Sequence, residues 1–152
     1  MKENIIKFLR CATPFLTVIF LWRLSDSFWN PGGILALIPI FFCSFIRPVN
    51  WFGIFSILMC LMIDYKMDTL AFWTALYCLF YGINGFQSVI DLKTMDKNAV
   101  GPFTIFTGLG IFILMVMNFT WIGFVRCFWA FLWTVLLYIP ITEFIKKVSD
   151  DR

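Results

Sequence analysis

The sequence has no histidine, and its acidic and basic residues together make up only 14% of 152. Without histidine the commonest general base, the usual partner of a nucleophilic cysteine and the usual transition-metal ligand are missing. The five cysteines, Cys11, Cys43, Cys60, Cys78 and Cys127, form no C-x-x-C pair, so they read as small apolar packing residues. No glycine-rich phosphate loop occurs. Asp64 and Asp68 are spaced to share a helical face if the helix continues, but no other acid falls at their depth, so a catalytic carboxylate pair has nothing to converge with.

The shortage of charge also excludes a water-soluble domain. The chain is 61% hydrophobic and 20% aromatic, its 20 phenylalanines outnumber Asp, Glu and Arg together, and its mean hydropathy is +0.88. So little polar surface cannot cover a core of this size, and the composition predicts an integral membrane protein. Lipid cannot hydrogen-bond a backbone, which leaves helices or closed barrels, and the apolar runs here are continuous rather than alternating. The expected fold is all-α and polytopic, a single membrane domain over residues 1–152.

Charges, prolines and glycines cut the chain into six expected spans, at about 8–24, 31–46, 49–65, 69–86, 102–120 and 121–145. The second and third are short against the ~20 residues that cross a ~30 Å core, and a re-entrant pair there would leave the sides of the other spans unchanged. Pro39 and Pro140 lie inside spans, and residues 118–123 read as a tight turn. Of the cations, Lys2, Lys7, Arg10, Arg47, Lys93, Lys97, Lys146, Lys147 and Arg152 fall on one side, against Arg23, Lys66 and Arg126 on the other. This asymmetry predicts cytoplasmic termini and supports an even number of spans. The charged start followed by an apolar run has no small-x-small cleavage site, so it is expected to be retained as a span.

Within this frame one stretch stands out. LMIDYKMDTL, residues 61–70, holds Asp64, Lys66 and Asp68 amid hydrocarbon. Each would cost roughly 3 kcal/mol at a helix centre, together about 9, more than the ~5 that a dozen apolar neighbours return. The trio is therefore expected at the membrane boundary, in an outward connection from about Asp64 to Thr69, where charges ordinarily do no more than solvate a turn. Other features have equally plain readings. Trp29, Trp51, Trp73 and Trp121 fall near span ends, as interfacial anchors do. Trp129 and Trp133 read as a packing stripe, Arg23 can pair with Asp26, and Arg126 can snorkel.

Order along the chain is more specific. The stretch LALIPIFFCSFIRPVNWFGIFSILMCLMIDYKMDTLAFWTAL, residues 35–76, resembles the bacterial rod shape-determining MreD family, in which a Pro-containing apolar span ends in aromatics and Arg-Pro, a second span follows, and an Asp introduces a Gly-containing turn. The matching positions are Pro39, Phe41, Phe42, Arg47-Pro48 and Asp64, and LWTVLLYIPITEFIKK, residues 132–147, is similar to the family's closing span. Where the family usually has glycine four and eight residues after the Asp, this chain has Asp68 and Phe72, residues that do not freely take positive φ.

The resemblance implies a non-catalytic inner-membrane component of the elongation machinery, supporting lateral peptidoglycan synthesis and cell shape. It would bind an MreC-like partner and, indirectly, the MreB filament, RodA and its penicillin-binding partner, with no cofactor, metal or nucleic acid. Asp64, Lys66 and Asp68 would be outward partner contacts, with Arg47 and Pro48 on the cytoplasmic side. The rival reading is the substrate-binding subunit of an energy-coupling-factor vitamin transporter. Such a subunit calls for Ala-x-x-x-Ala spacing in the first span, where only Ala12 stands.

Overall fold

The computed structural model describes residues 2–24, 31–85, 99–117 and 119–149. Among them are six α-helices and no strand: α1 (Lys2–Leu24), α2 (Leu37–Phe41), α3 (Phe52–Met67), α4 (Phe72–Gly85), α5 (Val100–Met117) and α6 (Trp121–Ser149). The all-α class follows from the continuous apolar runs. α5 and α6 are each long and apolar enough to cross a membrane. Asp26, Trp29, Lys93, Lys97, Asn118 and Arg152 fall outside the described residues, and with them the expected Arg23–Asp26 pair. The connection before α6 ends earlier than expected, because Trp121 already opens the helix and Phe124 donates its N–H to the Thr120 carbonyl at 2.9 Å.

α2 is the middle of a longer helical run, opened by a 3₁₀ turn at Pro31–Ala36 and closed by a π turn at Phe42–Ile46. The 3₁₀ opening rises about 2.0 Å per residue against about 1.5 Å in an α-helix, so the run reaches roughly 25 Å. Every residue from 34 to 45 is buried. A helix that is apolar all round has no face for a polar solvent and belongs in the middle of a bundle. Here α1, α3, α5 and α6 pack around it, and its π turn meets α3 and α4. Phe41 lies 5.4 Å and 5.5 Å from the rings of Phe103 and Phe106, and Phe45 lies 5.7 Å from Tyr77.

Arg47-Pro48 ends this run, as the sequence requires. A proline disfavours the α region for the residue before it, and Arg47 accordingly sits at φ −130, ψ 75 while its N–H closes the π turn on the Phe42 carbonyl at 2.9 Å. Trp51, at φ 65, then turns the chain into α3.

Ring and hydrogen-bond contacts fix the helix directions. Phe15 meets Phe52 at 5.2 Å and Trp22 meets Lys66, so α1 and α3 run in the same sense. Tyr81 approaches Gly53 while Trp73 reaches back to Asp64, so α3 and α4 are antiparallel. The pairs Gly108–Phe131 and Phe103–Tyr138 make α5 and α6 antiparallel, and Lys146 of α6 lies over the ring of Phe42, 5.7 Å from its centroid. The N-terminal part of α1 and the C-terminal part of α6 therefore lie at the same end of the bundle. Arg10, Arg47, Lys146 and Lys147 gather at that end; Arg23, Asp64, Lys66, Asp68 and Arg126 belong to the other.

One expected anchor is corrected here. Trp73 is not interfacial but fully buried, because Gly110 on α5 leaves room for its indole: a Cβ at Gly110 would stand 2.5 Å and 2.6 Å from ring atoms of Trp73. Trp51 and Trp121 are exposed, and Trp129 and Trp133 pack on each other, edge to face at 6.0 Å, while facing outward.

Candidate functional site at the α3–α4 connection

The connection lies later than expected. α3 continues through Asp64 and Lys66 to Met67, and only residues 68–71 link it to α4. Asp64 is in the last turn of α3 and is 3% exposed, so it does not solvate a turn. Its Oδ1 accepts hydrogen bonds from the Trp73 amide and the Thr69 hydroxyl, both at 2.8 Å. Its Oδ2 accepts from the Thr74 amide at 3.0 Å and the Thr74 hydroxyl at 2.8 Å. A carboxylate has about four acceptor sites, and all are filled from within the chain.

Helix physics explains the choice of donors. The first amides of a helix have no partner inside it, and the positive end of its dipole favours an anion. At α4 every early amide is accounted for: Phe72 donates to the Thr69 carbonyl, Trp73 and Thr74 donate to Asp64, and Ala75 donates to the Ala71 carbonyl. Asp64 also closes its own helix, since its carbonyl accepts the N–H groups of Asp68 and, at 3.0 Å, Thr69. One residue thus ends α3 and starts α4.

The linker between them is strained. Asp68, Leu70 and Ala71 all have positive φ, at 56, 40 and 61. That region costs ordinary L-residues about 1–2 kcal/mol each, with Asp among the more tolerant. Asp68 therefore takes the left-handed conformation that its side chain was expected to resist, and it is exposed there. Leu70, at the tip, is 99% exposed, and Tyr65 also points outward. Asp64 and Asp68 share no face, because the helix ends between them. Lys66 turns inward, its ammonium 4.4 Å from the centroid of the Trp22 ring on α1, a cation–π contact across the bundle. Of the expected site residues, Asp64, Lys66 and Asp68 thus share one end of the bundle with their side chains turned apart, while Arg47 and Pro48 lie at the opposite end.

Sequence reasoning missed three contributors. Thr69 and Thr74 carry two of the four bonds to Asp64, and their spacing from it, five and ten residues, matches no local capping pattern. The third is a buried hydroxyl group cluster: Tyr77 donates to Ser44 Oγ at 2.9 Å, and Ser44 and Ser56 lie 3.2 Å apart, tying the π turn, α3 and α4 together. Ser44 lies within the π turn, a conformation frequent at functional sites. Among the described residues no group of His, Cys, Asp and Glu could hold a metal ion.

No family model, curated protein or solved structure matches the chain.

Proposed function

We propose that the chain is a polytopic inner-membrane protein with six membrane-crossing segments and cytoplasmic termini. In this reading it is a non-catalytic scaffold of the rod-elongation machinery that binds an MreC-like partner and, through it, MreB, RodA and the penicillin-binding partner of RodA. The observation that carries this reading is the backbone at residue 68. The Asp64-capped connection forces a left-handed residue there, at φ 56 and ψ 42, and this is a position where the family resembled by residues 35–76 carries glycine. In this reading the family's usual glycine would meet the same conformational demand that Asp68 meets here.

The membrane setting is supported by the outer surfaces. Phe124, Phe128, Trp129, Trp133 and Leu136 of α6 and Phe112 of α5 are all exposed, large apolar side chains of the kind that face lipid or a partner. The gathering of Arg10, Arg47, Lys146 and Lys147 at one end agrees with a cytoplasmic face there. On this reading Asp64 is a positioning residue that shapes the outward linker, and Tyr65, Asp68 and Leu70 are the groups that linker offers to a partner.

Two experiments test the proposal. A reporter active only outside the cytoplasm should work when fused after Met67 and fail when fused after Lys93; activity at both points would overturn the topology. Depletion in a rod-shaped host should give rounded, widened cells, and the protein should co-purify in mild detergent with an MreC-like partner. Normal rods, with co-purification of an ATPase-containing transporter module, would replace this reading with the vitamin-transporter one.

A further inference from the structure

α1 and α6 both contain an internal proline, Pro14 and Pro140. Proline cannot donate to the carbonyl four residues back and its ring crowds that turn, so each helix gives up one backbone hydrogen bond there. Between them lies an apolar groove of about 540 Å³, walled by Thr13, Thr17 and Phe20 of α1 and by Leu137, Pro140 and Phe144 of α6. Its two hydroxyls are already satisfied by their own helix, Thr13 on the Leu9 carbonyl at 2.8 Å and Thr17 on the Thr13 carbonyl at 2.7 Å. Both hydroxyl hydrogens are therefore spent, and the rest of the wall is surface for a hydrocarbon chain.

The groove has a basic mouth. Arg10 lies one turn before Thr13 on the same side of α1, and Lys147 lies one turn beyond Phe144 on α6; both are exposed. The antiparallel arrangement brings these two turns to the same end of the bundle, where Arg47 and Lys146 also lie. Glu143, the acid of that turn among the described residues, lies one turn before Lys147 and about 40° from it around α6, so it borders the Lys147 side of the mouth, where the four cations Arg10, Arg47, Lys146 and Lys147 still leave the end basic.

We propose that this groove binds one anionic glycerophospholipid, its acyl chain against Phe20, Leu137 and Phe144 and its phosphate between Arg10 and Lys147. The charge of the mouth selects an anionic headgroup, and the self-satisfied walls select an acyl tail. The site rests on the membrane reading given above.

The test uses the full chain purified in mild detergent, with native mass spectrometry after addition of phosphatidylglycerol or of phosphatidylcholine with the same acyl chains. The phosphatidylglycerol adduct should be favoured about tenfold, as two cations near an anionic headgroup imply. In the double variant Arg10→Gln, Lys147→Gln the preference should fall to about onefold, and Thr17→Trp, which fills the groove, should remove both adducts. Equal adducts in the wild type, or an unchanged preference in the double variant, would overturn the site. A photoreactive residue in place of Phe20, irradiated in native membranes, should label lipid; labelling of a polypeptide, whether a partner helix or a second copy, would overturn it as well. Release of the protein by carbonate washing would sink the membrane reading itself, whereas retention with equal adducts would sink only the groove.

Discussion

The central run, residues 34–45, and the middle of helix α6, residues 127–141, are both strongly apolar in sequence, yet one is buried on every side and the other is exposed over most of its circumference. The buried stripe of α6 consists of Ala130, Thr134, Tyr138, Thr142 and Ile145, spaced three or four residues apart. Four of these five are small or carry a hydroxyl. Thr134 and Thr142 return their hydroxyls to the Ala130 and Tyr138 carbonyls at 2.7 Å and 2.8 Å, so nothing polar is left unmet. The large apolar residues of α6 face outward instead. On the membrane reading proposed above, the solvent is as apolar as leucine, so close packing of small and self-satisfied residues decides which face turns in. Along α6 hydropathy therefore tells inside from outside poorly, whereas residue size and hydrogen bonding tell it well.

The strongest way to break this comparison is to truncate one phenylalanine on each side of it. Phe41→Ala removes a ring enclosed by Phe45, Phe103 and Phe106 and should destabilise by about 4 kcal/mol through lost packing and the cavity left behind. Phe128→Ala, on the outward face of α6, should stay within about 0.5 kcal/mol. Unfolding by denaturing detergent in mixed micelles measures both, and similar losses would mean that α6 is enclosed by something more than lipid.

The next effect concerns the most polar buried group. If hydropathy governed placement, Asp64→Leu would be harmless or stabilising. Here it should cost about 3 kcal/mol, because it strips acceptors from the buried Trp73 amide, the Thr74 amide and two hydroxyls. Asp64→Asn keeps one carbonyl oxygen and should lose about half as much. A leucine variant as stable as the wild type would remove Asp64 from its capping role.

A smaller effect separates two glycines of α5. Gly110→Ala forces a methyl group into Trp73 and should cost about 2 kcal/mol. Gly101→Ala meets nothing within 4 Å and should gain a few tenths of a kcal/mol or more from helix propensity. Equal effects would mean that the indole moves aside freely and that α4 and α5 are not held by this contact.

These cases show which parts of the molecule were legible in its sequence. The existence of the helices was legible, because uninterrupted apolar runs admit little else, and so was the stop at Arg47-Pro48, where proline chemistry acts on its immediate neighbour. The end of α3 was not. Asp64 looked like a turn residue because its cost in lipid was reckoned alone, and what offsets that cost is a set of donors that only the return of α4 supplies. Trp73 was misread for the same reason, its place depending on a glycine thirty-seven residues away. Local signals survive in a single sequence; a partner contributed by another helix does not.

The smallest prediction concerns Asp68, where local and distant causes meet. Its left-handed backbone is imposed by the cap around Asp64, and among L-residues Asp tolerates that region better than most but still less well than glycine. Asp68→Gly removes this strain and also adds entropy to the unfolded chain, and the two nearly cancel, so stability should rise by no more than about 0.5 kcal/mol. Asp68→Ala keeps a Cβ in the left-handed region without a side chain that tolerates it and should lose about 1 kcal/mol. The order Gly, Asp, Ala would assign residue 68 a conformational role. If instead the glycine and alanine variants fell together below the wild type, the carboxylate itself would be bonding something, and the α3–α4 linker would owe its shape to Asp68 as well as to Asp64.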